Sequence, residues 1–81
     1  EPMPVFDQAI SIFAGNQGYL DDIPVGDVVR FRTEMLQNLH ASAKGVYEKL
    51  EAEKKFTDEI ETELKAAIER FKSEFAPTPE A

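Results

Sequence analysis

The chain has 81 residues, which allows one domain at most and a core only marginally large enough to offset its own ordering entropy. Asp plus Glu total 16 against 9 Lys plus Arg, a formal net charge of −7, and Lys44, Lys49, Lys54, Lys55, Lys65 and Lys72 are interleaved with glutamates, so no basic stripe exists to hold nucleic acid. The absence of cysteine excludes a disulfide framework, a thiolate metal site and a cysteine nucleophile, and apolar runs of a few residues fall far short of the roughly 20 that span a bilayer.

Glu1-Pro2-Met3-Pro4 reads as an extended lead-in over residues 1–4, because each proline disfavours helix in the residue before it. A sequence that opens on Glu1 rather than Met also reads as a piece of a longer polypeptide. The first helix is expected from Val5 to about Ala14. Its apolar residues fall in two adjoining series, Val5, Ala9, Ile12 and Phe6, Ile10, Phe13, which leaves Asp7, Gln8 and Ser11 as the polar side. That arc covers roughly half the circumference, wider than the stripe a surface helix hides, so this helix needs cover on two sides.

The stretch AGNQGYLDDIP, residues 14–24, concentrates two glycines, two adjacent aspartates and a proline between periodic segments. A structural corner accounts for each of them. Gly15 follows the last periodic residue, where a left-handed residue closes a helix without a side-chain clash, and Gly18 permits a second unusual backbone angle. Asp21 and Asp22 stand where carboxylates can accept the unpaired N–H groups of the next helix, and Pro24 suits its first turn. A calcium loop would recruit Asp21, Asp22 and Asp27, but their spacing lacks the alternating oxygen ligands and terminal glutamate of such loops. GNQG lacks the GK[ST] ending of a phosphate loop.

A second helix is expected from Pro24 or Val25 to His40 or Ala41, with Val25, Val28, Val29, Phe31, Met35, Leu36 and Leu39 on one face. Arg32 projects into that apolar arc, as a snorkelling stem or as an ion-pair partner for a neighbouring subunit. His40, the single histidine, complements the dipole at the helix end. Ser42 is placed to cap a short third helix carrying Ala43, Val46, Tyr47 and Leu50, which Gly45 weakens by about 1 kcal/mol relative to alanine. Thr57 followed by Asp58 and Glu59 caps the cleanest helix, whose stripe is Ile60, Leu64, Ala67, Ile68, Phe71 and Phe75. Glu59, Glu61, Glu63 and Glu69 fall mostly on its solvated side, and residues 76–81 are expected to be a flexible tail. The class is all-α, with about four antiparallel-type helices and no catalytic constellation.

The wording of two stretches adds to this. SIFAGNQGYLDDIPVGDVVRF resembles the segment near the end of the alpha subunit of F-type ATP synthases, a family that reads close to S-I-[YF]-A-G-x-x-G-Y-L-D-[DG]-[IV]-P, followed by a valine-rich helix and an F-E-x-x-L-L pattern. FTDEIETELKAAIERFKSEF is similar to the closing helix of those subunits, and EPMPVFDQ to the proline-rich lead into this region. The resemblance runs from about Pro2 to Phe75. Arg32 and Gly26 depart from it, standing where glutamate is usual or frequent.

The resemblance implies that residues 5–75 belong to the C-terminal helical domain of a longer subunit. The ATP/ADP and Mg sites would lie in the parent subunit and complex, with no cofactor in this segment. Implied partners are the rest of the alpha subunit, the beta subunits and the central stalk, with Tyr19, Leu20 and Arg32 as candidate subunit contacts. The implied location is a peripheral complex on the cytoplasmic side of a bacterial plasma membrane, or its organelle equivalent. The competing expectations are a stand-alone acidic helical module that binds an amphipathic partner, and a helix-turn-helix DNA binder, against which the charge argues.

Overall fold

A computed structural model describes residues 4–75. The order is α1 (Val5–Asn16), a 3₁₀ turn (Val25–Asp27), α2 (Val28–Ser42), α3 (Lys44–Glu53) and α4 (Asp58–Glu74), with no strand among the described residues. The all-α expectation therefore holds. Residues 1–3 of the expected lead-in and the expected tail at 76–81 lie outside the described residues.

The backbones of α2, α3 and α4 approach one another most closely, whereas α1 is held chiefly through side chains. Helix α4 is central, and its stripe of Ile60, Leu64, Ala67, Ile68 and Phe71 is buried as its periodicity requires. Thr57 starts it as expected, its Oγ1 accepting from the Ile60 N–H at 3.2 Å. Against this stripe lie Phe31, Met35, Leu36 and Leu39 of α2 and Val46 and Leu50 of α3. Phe31 is completely buried, with the Phe71 ring centroid 5.2 Å away and Phe75 edge-on at 4.9 Å. Burying one such side chain contributes about 1.5–3 kcal/mol, and truncating it to alanine costs about 3–5 kcal/mol because a void remains.

Several helix ends differ from expectation. Helix α1 runs past Gly15 to Asn16, and the left-handed residue is Gly18 at φ +83°, not Gly15. The Tyr19 N–H donates to the Ala14 carbonyl at 3.1 Å and the Gly18 N–H to the Gly15 carbonyl at 3.1 Å, the paired bonds of a Schellman motif with Gly18 just past the cap. Gly15 is one turn too early because Asn16 and Gln17 stay right-handed and let the helix finish its turn. Ser42 caps nothing at α3. It ends α2, where its hydroxyl donates back to the Asn38 carbonyl at 2.8 Å, and Ala43 precedes α3 with no side-chain cap bond. Helix α3 closes on Lys54 at φ 59°, a left-handed lysine that costs about 1–2 kcal/mol where glycine would not.

The expected second helix opens instead as the Val25–Asp27 turn, and its face is narrower than expected. A 3₁₀ turn has three residues per turn rather than 3.6, so its phase runs ahead of the helix that follows. Val25 is 93 % exposed and Val29 63 % exposed, while Phe31, Met35, Leu36 and Leu39 go inside.

Candidate functional site

The corner at 14–24 is braced from a distance. Tyr19 Oη donates to Glu69 Oε2 at 2.6 Å, and Lys72 Nζ reaches Asp22 Oδ1 at 2.6 Å, so α4 holds both sides of the loop. Burial first, and then the hydrogen bond and negative charge of Glu69, push the Tyr19 hydroxyl up to about 12. The Lys72 hydrogen bond holds the Asp22 carboxyl below its ordinary range. Ile23 is buried, and Tyr19 and Leu20 pack on the core from partly buried positions. Pro24 precedes the 3₁₀ turn in extended conformation, and its carbonyl accepts from the Asp27 N–H at 2.8 Å.

Of the sequence-predicted site residues, Gly18 and Pro24 thus shape the corner, and Gly15 belongs to α1. Asp22 serves the corner through Lys72 rather than through the N–H groups of the next helix. Asp21 is exposed at the loop surface, where its Oδ2 would lie 3.3 Å from a Cβ placed on Gly18. Asp27 lies 4.0 Å from Arg30 Nε and starts α2 without a side-chain cap bond. Tyr19 and Leu20 are both engaged within the molecule.

A second cluster, unassigned by the sequence, joins α1, α2 and α3. Asp7 is 7 % exposed, and Tyr47 Oη donates to its Oδ1 at 2.8 Å. His40 Nε2 lies 3.0 Å from Oδ1 and 3.1 Å from Oδ2; a carboxylate only accepts, so this nitrogen carries the proton. The His40 and Tyr47 rings stack at 4.0 Å with 15° between their planes. Burial, followed by the hydrogen bond and charge of Asp7, raises the Tyr47 pKa above the usual tyrosine range. Asp7 is therefore not on the polar side of α1, and His40 does more than complement a dipole. The signal was present: Asp7, Ile10 and Ala14 share the inward phase of α1, and an acid in that phase calls for buried partners. The three groups are spent on one another, which makes them a clamp between helices.

Arg32 lies elsewhere. With Gln8, Ser11 and Ile12 it lines a shallow groove of about 290 Å³ between α1 and α2. Its Nε is buried with no hydrogen-bond partner among the described residues. The acidic face of α3 and α4 is partly tied down: Lys49 bonds Glu63 and lies 3.5 Å from Glu59, and Glu63 above all holds its ammonium pKa up. Among the described residues no three His, Cys, Asp or Glu side chains converge as metal ligands, and no helix is long and apolar enough to cross a membrane.

The family model described as "ATP synthase alpha/beta chain, C terminal domain" matches residues 1–71. The sequence is 45 % identical over 78 residues to the ATP synthase subunit alpha of Corynebacterium jeikeium (strain K411), covering 96 % of its own length. It is 45 % identical over 74 residues to that of Nocardia farcinica (strain IFM 10152), covering 91 %, and 42 % identical over 78 residues to that of Mycobacterium leprae (strain TN), covering 96 %. In each case the match spans 14 % of the relative's own length. A motif-bearing corner, an all-helical core and a family match over residues 1–71 lead to one assignment: the protein belongs to the family of C-terminal domains of ATP synthase alpha and beta subunits.

Proposed function

We propose that this protein is a non-catalytic structural segment of an ATP synthase alpha subunit, packing the helical collar of an alpha/beta hexamer around the central stalk. The observation that carries this reading is identity of 42–45 % over nearly the whole sequence to alpha subunits. The parent complex would be membrane-associated and would couple proton flow to ATP synthesis. Its ATP/ADP and Mg would be held by other parts of the subunit and complex. Here the segment's work is mechanical: the helices hold shape, the corner sets the direction of α2 relative to α1, and the Asp7 clamp keeps α1 seated.

Residue chemistry supports a mechanical role over a catalytic one. Tyr19 and Asp22 of the corner are engaged by Glu69 and Lys72, and Asp7 by Tyr47, whereas a catalytic constellation must leave a nucleophile or a base facing a substrate. The test is to read the gene upstream of the codon for Glu1. A phosphate-binding G-x-x-x-x-G-K-[ST] in the same reading frame is the expected result. A start codon immediately before Glu1 would sink the reading in favour of a stand-alone interaction module. Titration calorimetry on the 81-residue polypeptide should show no heat from ATP with Mg, and micromolar binding would place a nucleotide site where this reading has none.

A further inference from the structure

Helices α2 and α3 are separated by a single residue. Ala43, at φ −132° and ψ 40°, closes α2 with its N–H on the Leu39 carbonyl at 2.8 Å and opens α3 with its carbonyl accepting from the Val46 N–H at 3.0 Å. Local chemistry does not demand this break. Residues 39–46 contain no proline and no positive φ, and the residue at the break is alanine, the best helix former. The back-bonded Ser42 hydroxyl bends a helix without ending it. Contacts from outside the stretch therefore impose the bend.

The His40–Tyr47 stack shows where they act. On a continuous helix, residues seven apart stand about 10.5 Å apart along the axis, and both side chains lean toward the N-terminus, which preserves that separation. The two rings are 4.0 Å apart, so they stand on the inside of the bend, one before the joint and one after it. Both are bonded to the Asp7 carboxylate of α1. The joint also has room to move: a cleft of about 300 Å³ lies beside it, and a Cβ on Gly45 would meet nothing within 4 Å. Buried Val46 and Leu50 keep α3 on the core, so the joint allows a swing of α3 and not its release.

We propose that Ala43 is a hinge and that Asp7 is the pin that sets its angle, so that the seating of α1 and the angle between α2 and α3 form one coupled motion. With α1 seated, the carboxylate aligns both rings and holds the joint closed. With α1 lifted, the rings lose their shared acceptor and α3 swings outward, toward the line of α2. Coupling of this kind needs an element with two arrangements that both sites bias, and the joint supplies it. Every group in the device lies within these residues, so it stands independently of the alpha-subunit reading.

The test measures the angle by spin–spin distances in the native polypeptide that contains these residues, labelled at Thr33→Cys and Ala52→Cys, both exposed positions. A continuous helix would set this pair about 28 Å apart, and the bent form must be shorter. Tyr47→Phe frees α3 from the pin while α1 stays bound through His40, and should raise the lengthened population about fivefold, the factor set by one lost hydrogen bond. Asp7→Ala frees both arms and should raise it further. A control pair, Thr33→Cys with Thr62→Cys, spans α2 and α4 and should keep its distance in both variants, which separates a swing from general loosening. If Asp7→Ala loosens the whole bundle and moves both pairs, Tyr47→Phe alone decides. A distance between positions 33 and 52 that Tyr47→Phe leaves unchanged, or that moves only together with the control pair, overturns the proposal. So does an unsubstituted distance already near 28 Å.

Discussion

Tyr47 Oη donates to Asp7 Oδ1 at 2.8 Å across 40 residues of sequence, and through this bond α3 holds α1. His40 takes the same carboxylate from α2, so Asp7 accepts from two helices at once. Tyr47→Phe removes one donor and leaves the other, and should cost about 1 kcal/mol in denaturant unfolding. Asp7→Ala orphans both donors and should cost more, about 1–3 kcal/mol. In a double-mutant cycle the two losses should be clearly non-additive. Simple additivity would show that the clamp contributes nothing as a unit.

Alkaline titration examines both tyrosines of the protein. Tyr19 titrates near 12 against an ordinary 10.0, and Tyr47 is raised further in the same direction. Because the folded value exceeds the unfolded one, the neutral phenol is the form that folding favours. The associated stability is complete below pH 10.0 and is lost as pH rises through about 12. Phenolate absorbance of the folded protein should show no inflection at 10.0. A full-amplitude step there would contradict both hydrogen bonds.

At the acid end the sign reverses. The Lys72 bond lowers the Asp22 carboxyl below its ordinary 3.8, so the stability from this pair is present above that value and fades as pH falls through the folded value. Carboxyl chemical shifts should give Asp22 a midpoint below 3.8, and Lys72→Gln should return it toward 3.8. A midpoint that Lys72→Gln leaves unmoved would show that the corner is not tethered to α4 by this pair.

The two glycines of the corner should behave oppositely. Gly18 holds φ +83°, and an added Cβ would stand 3.3 Å from Asp21 Oδ2, so Gly18→Ala should destabilise by about 1 kcal/mol or more. At Gly15 the backbone is helical and a Cβ meets only Leu20 Cδ1 at an ordinary 3.8 Å. Gly15→Ala should therefore be neutral or stabilise by up to about 1 kcal/mol through helix propensity. Thermal melts ranking the two variants the other way round would mean that the helix stops at Gly15 after all.

Periodicity alone was enough for the stripe of α4 and for the inward residues of α2 from Phe31 to Leu39, because burying such a stripe is the dominant favourable term whatever lies opposite. The Thr57 cap was equally legible, since it is made by a hydroxyl and an N–H three residues apart. The motif around Gly18 pointed to the family without any geometry. The choice of Gly18 over Gly15 and the backward bond of Ser42 are local, but the residue types permit either geometry, so sequence reading places both wrongly; only the tertiary structure decided that Asp7, Tyr19 and Asp22 find His40, Tyr47, Glu69 and Lys72. The sequence-local features are those whose donor and acceptor, or whose apolar neighbours, sit within one helical turn. A buried carboxylate instead takes the partners that packing brings to it from 33 and 40 residues away, and no local pattern encodes that distance.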